Sequence, residues 1–171
     1  MKFASRTLSA FFAAALLIST AFAADKTPQA PSAPFPPEIA AAKTVFLSYA
    51  GTECAPSDYR YSGTRDRAFN QFYVAAKSKL PYQVVTSPAN ADLVLEFSMT
   101  CDPPSGVSAV AINFILRIYS SKEGVTLWTF TEPVKQSGMS LQKSRDEGFD
   151  LALTSLVDDA YRAASTTPPT Q

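Results

Sequence analysis

The chain has 171 residues, with fifteen basic and fifteen acidic side chains, no histidine, two cysteines, and 46% hydrophobic residues that include twelve phenylalanines and one tryptophan. That length suits one ordinary domain with a real core, and the balanced charge excludes the electrostatic footprint of a nucleic-acid or anionic-lipid binder. The missing histidine removes His-based acid–base work, the usual Ser-His and Cys-His nucleophile pairs and the commonest zinc ligand.

Lys2 and Arg6 open the chain as a short positive region, followed by an uncharged apolar run from Leu8 to Ile18 and the small-residue pattern Ala21-Phe22-Ala23. Those three parts in that order predict a cleavable secretory leader over residues 1–23, with a mature start at Ala24-Asp25. The apolar run is shorter than the roughly 20 residues a spanning helix needs, which favours cleavage over anchoring. No cysteine lies near the cleavage point to carry a lipid, and no later stretch is apolar enough to span a membrane. Two of the fifteen basic residues leave with the leader, so the mature chain is slightly acidic. The expected destination is outside the cytoplasm of a bacterial cell, in the periplasm, with full secretion as the alternative.

From Ala24 the chain reads ADKTPQAPSAPFPP. Proline at this density removes donors and restricts each preceding residue, which predicts a disordered or polyproline-like tether over 24–39. Residues 165–171 are expected to be a frayed tail, which leaves 40–164 as the folded unit.

Within that unit the first element is a short apolar strand, Thr44–Tyr49, ended by Gly51. Phe69, Phe72, Tyr73, Ala76 and Leu80 then form the stripe of an amphipathic helix over 64–80, stopped by Pro81. Residues 82–85 make a brief edge strand. Residues 92–100 alternate, with Leu93, Leu95, Phe97 and Met99 on one face and Asp92, Val94, Glu96 and Ser98 on the other. Residues 110–119 alternate as cleanly, with Val110, Ile112, Phe114, Leu116 and Ile118 together. A hairpin loop at 120–124 leads to a partner strand over 125–131 that ends before Pro133. Ser144-Arg145-Asp146-Glu147 reads as the capping box of a last helix whose stripe is Phe149, Leu153, Leu156, Val157 and Ala160, with Arg162 late. The order β-α-β-β-β-β-α predicts a two-layer α/β (α+β) sandwich: a mixed sheet of about five strands with two helices packed on one face.

Cys54 and Cys101 are the sharpest local feature. Each lies just past the end of a strand, and if those strands are parallel neighbours both emerge at the same edge of the sheet. In an oxidising compartment an even pair so placed reads as a disulfide. A reactive thiol or a metal pair would need a histidine, a third cysteine or a C-x-x-C spacing, and none is present.

The loop over 56–67 holds the ligand-binding candidates Tyr59, Arg60, Arg65 and Arg67. Arginines at a helix N-terminus suit a carboxylate or phosphate, and the loop leaves the carboxyl ends of strands, where open sheets bind ligands. The competing reading is a solvated connection. Asp102-Pro103-Pro104-Ser105-Gly106 would form the facing wall. Among the acids, Asp146, Glu147 and Asp150 fit helix-dipole positions, Asp158 and Asp159 fall on the last helix's outward face, and Glu96 is expected exposed on the helix-free face of the sheet. Trp128 is expected to pack in or against the sheet, with sugar stacking as the alternative. No catalytic, phosphate-loop, dinucleotide or calcium-loop spacing occurs, so no catalytic residue, metal or cofactor is assigned.

Three segments carry a resemblance: Ala91-Asp92-Leu93-Val94-Leu95-Glu96-Phe97, the long strand after it, and Glu123-Gly124-Val125-Thr126-Leu127-Trp128-Thr129-Phe130. Together they resemble families of small exported bacterial proteins of unknown function, and at fold level the N-terminal domain of the periplasmic protein TolB and related envelope modules. The resemblance covers roughly residues 44 to 163 and marks a strand, a hairpin and a packed tryptophan; it brings no catalytic residue. It implies an envelope-resident binding or assembly module with a protein partner of the envelope or periplasm. The expected function is therefore non-enzymatic. The alternatives are a small hydrolase using carboxylates such as Glu96 or Asp102, and an anion or small-ligand carrier at the 56–67 loop. Oligomeric state stays open.

Overall fold

The computed structural model describes residues 33–54, 61–102, 111–135 and 141–166. They belong to the unit Pro34–Gln171, apart from Ala33. Its elements are helix α1 (Pro37–Ala41), strand β1 (Thr44–Thr52), helix α2 (Arg67–Lys79), strand β2 (Gln83–Val84), a 3-10 turn (Pro88–Asn90), strands β3 (Leu93–Asp102), β4 (Ala111–Ser120) and β5 (Thr126–Pro133), and helix α3 (Gln142–Ser165).

The strands form one mixed sheet in the order β2-β1-β3-β4-β5. β1 runs parallel to both β2 and β3, whereas β3, β4 and β5 form an antiparallel meander. The period-two pattern decides which face is covered. Leu93, Leu95, Phe97 and Met99 of β3 are buried, and their neighbours Val94, Glu96 and Ser98 are only half-buried. The register sets Leu95 against Leu47 and Ile118, and Phe97 against Leu116, so one face carries the apolar side chains of three strands at once. The described helices pack on that face, as a sheet buried on one side only requires.

Phe97 sits at the middle of the core. Its ring centroid lies 5.0 Å from Phe72 of α2 and 5.6 Å from Phe114 of β4, and Phe114 meets Phe149 of α3 edge-on at 4.9 Å. These offset and T-shaped pairs are the favoured aromatic geometries. α3 fits closely because small residues, Ala152, Ala160, Ala163 and Ala164, stand among its buried large ones.

Several expectations need correction. Within the stretch expected as tether, Pro37–Ala41 is helical, its Ile39 is fully buried, and the Tyr82 hydroxyl donates to the Ile39 carbonyl at 2.7 Å. The described residues thus hold three α-helices, one more than the two expected. Proline at the first turn of a helix loses no bond, because that N–H has no partner in a helix anyway. α2 begins at Arg67, not Thr64, and buries Ala68, Phe72 and Ala76, a strict i, i+4, i+8 line; Tyr73 is turned to solvent. β1 does not end at Gly51 but passes through it. The register slips between Tyr49 and Gly51, and Gly51 adopts φ +96°, a bulge conformation that glycine takes without steric penalty. The Ser144–Glu147 capping box is not used either: α3 starts two residues earlier, at Gln142, with no side-chain cap.

β5 continues to Pro133, past the expected end. Val134 N–H donates to Ile112 O at 2.8 Å. In an antiparallel ladder the next residue back then points its backbone nitrogen away from the partner strand. Pro133 therefore occupies an edge position where no donor is needed, the one setting in which a sheet tolerates proline.

Candidate functional site

The carboxyl ends of β1 and β3 lie side by side, and there Cys54 and Cys101 form a disulfide across 47 residues of sequence, with their Cα atoms 4.9 Å apart. Parallel pairing of the two strands brings the cysteines together, as the sequence predicts. Cys54 is buried against the core and Cys101 is half-buried.

The candidate loop departs from this end. Tyr59 and Arg60 lie outside the described residues, as does the facing wall 103–106. Arg65 stands on the exposed turn before α2. Arg67, the first residue of α2, is drawn inward. Its Nη1 donates to Asp146 Oδ1 at 2.9 Å and to the Ser62 carbonyl at 2.8 Å, and its Nη2 donates to Asp150 Oδ1 at 2.7 Å. Its guanidinium carbon lies 4.8 Å from the centroid of the Phe149 ring. Ser62 closes the cluster by donating its amide to Asp146 Oδ1 at 2.9 Å and its hydroxyl to Oδ2 at 2.6 Å. Tyr61 packs its ring 4.8 Å from Phe149.

The arrangement fastens one helix to another. A planar guanidinium shared between two carboxylates and laid on an aromatic face has its donors committed, so an incoming anion at Arg67 would have to displace Asp146 or Asp150. The Ser62 hydroxyl and amide, with Arg67 and Gln142, hold the Asp146 carboxyl well below the usual carboxylate range despite some desolvation. Asp146 and Asp150 thus act as tertiary partners, where the sequence pattern reads them as dipole residues. A pairing between positions 79 and 83 residues apart leaves no local trace.

Glu96 lies on the helix-free face as expected, but it is half-buried and engaged. The Tyr119 hydroxyl donates to its Oε1 at 3.1 Å, and Arg117 Nη1 lies 3.6 Å away. Its register neighbours are Ser48 and Arg117, so the cross-strand positions bring no second carboxylate for a hydrolytic pair. Asp102 ends β3. At the opposite end of that strand the Asp92 carboxylate accepts from the amides of Lys43 and Thr44 at 2.9 and 3.0 Å, and these bonds hold its pKa down.

A second acidic pair, not singled out in the sequence, sits where β5 meets α3. Burial, and then the Asp159 carboxyl in hydrogen-bond reach, push the Glu132 pKa up, with Ser155 and Lys135 opposing. Asp159 also pairs with Arg162, so it does not simply face outward. The signal for Glu132 was available: it is two residues beyond Phe130 and therefore on the same, helix-facing side of β5. Beside it a notch of about 290 Å³ is lined by Glu132, Lys135, Gly148, Leu151 and Ser155. A roomier concavity of about 600 Å³ lies along α3, but its charged groups are paired with one another, Lys79 with Asp158 and Arg162 with Asp159. Among the described residues no three His, Cys, Asp or Glu side chains are grouped to hold a metal, and no helix is long and apolar enough to cross a membrane.

Trp128 packs at the rim of the core, with its ring 5.0 Å from Phe35 and 6.3 Å from Phe130. No family model matches this chain, and neither does any curated protein. Several solved structures resemble it in part. A PelC dodecamer from Paraburkholderia phytofirmans is 16% identical, covering 67% of this chain and 84% of that one with a TM-score of 0.40. A DUF4136 family protein from Bacteroides thetaiotaomicron is 15% identical over 72% and 90%, with a TM-score of 0.46. A minor lipoprotein from Acinetobacter baumannii is 12% identical over 70% and 90%, with a TM-score of 0.40. These likenesses concern the path of the backbone and carry no residue roles.

Proposed function

We propose that this chain is an exported domain that works in the bacterial envelope as a non-enzymatic binding or assembly module. The observation that carries the reading is the Cys54–Cys101 disulfide, a bond that forms and persists in oxidising compartments. The leader pattern of Lys2, Arg6 and Ala21-Phe22-Ala23 agrees with it. Arg67, Asp146 and Asp150 serve a structural task, fastening α2 to α3. A leader at 1–23, a tether leading into Phe35, a tail at 165–171 and an envelope or periplasmic protein partner belong to the same reading. So does the fold-level likeness to the TolB N-terminal domain, which rests on the three sequence segments alone.

Expression of the full chain in a bacterium, followed by osmotic-shock fractionation and intact-mass analysis, tests this. The expected product is periplasmic, lacks residues 1–23, and shows two thiols protected from alkylation until reductant is added. A full-length, reduced chain retained in the cytoplasm overturns it. An anion-carrier reading at 56–67 would rest on the arginine-rich sequence of that loop, Tyr59, Arg60, Arg65 and Arg67. A panel of anions that leaves the melting temperature unchanged removes that alternative.

A further inference from the structure

Phe35 is the only aromatic residue of the proline-rich segment 24–37, and it is held on β5. Trp128 and Phe130 are two apart on that strand, so both rings leave the same face at the rim of the sheet. Phe35 meets Trp128 at 5.0 Å with the rings at 70°, and Phe130 at 5.9 Å with the rings at 55°. The two β5 rings thus form a shelf on which a third ring stands edge-on, a favoured aromatic geometry. Phe35 is presented between Pro34 and Pro36, and Pro36 has φ −54° and ψ 130°, the polyproline II region. Prolines at 34, 36 and 37 carry no N–H that docking would have to satisfy. An extended segment already ordered by proline, laid on aromatic side chains, is a recurrent mode of peptide recognition, because little chain entropy is lost on binding.

We propose that the Trp128–Phe130 shelf is a docking site for a phenylalanine–proline peptide segment, occupied in the free chain by its own residues 34–36. The chain's own segment is the occupant because it is covalently attached beside the shelf at high effective concentration. An outside segment of the same chemistry enters when that contact is weakened. Neither export nor the disulfide enters this argument, so it stands or falls apart from the envelope role.

Trp128 is the only tryptophan of the chain, so its emission reports the shelf alone. In the full chain carrying Phe35→Ala, the emission maximum is expected to move to the red as the indole opens to water. The peptide Ser-Ala-Pro-Phe-Pro-Pro-Glu, the sequence of residues 32–38, is expected to reverse that shift saturably, with roughly millimolar affinity for so small a contact. The same peptide with alanine for phenylalanine should do nothing, and the unsubstituted chain should respond to neither. Phe35→Leu keeps the apolar bulk and serves if the alanine variant does not fold; the peptide should then displace the leucine. A folded variant that ignores the phenylalanine peptide, or answers both peptides equally, overturns the docking site. A response of the unsubstituted chain equal to that of the variant overturns the occupancy of the shelf by residues 34–36.

Discussion

At the scale of single residues, the charged groups that hold the domain together are the ones that local pattern describes least well. Asp146 has a natural local role as a first-turn acid, yet its oxygens accept from Ser62 and Arg67 across more than 75 residues. Because its folded pKa is depressed, the stability it contributes is present above the ordinary carboxylate value near 4 and is lost as pH falls through the depressed value. Asp146→Asn is expected to cost ~1 kcal/mol at neutral pH, the pair being screened by nearby solvent. Urea titrations should show that difference shrinking toward roughly pH 2. Glu132 has the opposite sign. Its folded pKa is raised by burial and by Asp159, so its stability is full below the ordinary glutamate range and lost as pH rises through the raised value. Glu132→Gln should therefore raise the melting temperature at pH 8 and leave it unchanged at about pH 4, by an amount worth ~0.5 kcal/mol for a like-charge contact near the surface. A Gln variant that is less stable at both pH values would contradict the pairing with Asp159.

At the scale of elements, the strands were legible and the helix starts were not. β3 and β4 each have one covered face, and a period of two written in Leu, Phe, Ile and Met fixes which face that is. The helices fail differently. Asp66 and Leu141, the residues before α2 and α3, use no side-chain cap, so their starts are set by tertiary contacts that no cap motif records. For α2 the contact is the Arg67 clamp. For α3 it is a close approach to the chain leaving β5: a Cβ built on Gly148 would lie 2.4 Å from the Lys135 carbonyl oxygen. Gly148→Ala would ordinarily favour a helix. Here the methyl meets backbone that cannot turn aside, and a loss of about 1–3 kcal/mol is expected in chemical denaturation. A stabilised variant would show that α3 stands further from β5 than described. The same scale explains Phe35 and Ile39. Prolines mark residues 34–37 as non-helical by propensity, whereas the first turn of a helix accepts proline and one buried isoleucine fixes the rest.

At the scale of the whole molecule, β1 lies inside the sheet, between β2 and β3, but is first among the strands, so both of its ladders are long-range. The disulfide ties its carboxyl end to β3 across 47 residues. Closing a loop of that length removes unfolded-chain entropy worth up to about 4 kcal/mol. Equilibrium denaturation of Cys54→Ser/Cys101→Ser is expected to show a loss approaching that value, with reductant giving the same loss in the native chain; an unchanged midpoint would mean the bridge adds nothing. The pairing was legible because it needs only strand order and parallel direction; the clamp at Arg67 was not, because it depends on how two helices rotate. The two ends of the sheet have a consequence of their own. On one side β2 offers a two-residue edge. On the other, the register slip at Leu127 and the proline at 133 leave chiefly Thr129 and Thr131 with outward-facing backbone groups. Neither terminal strand, β2 or β5, presents a long unbroken run of outward backbone groups. Copies crowded together soon after synthesis therefore meet short or interrupted terminal strands, and where those strands stop lowers the chance of edge-to-edge polymerising.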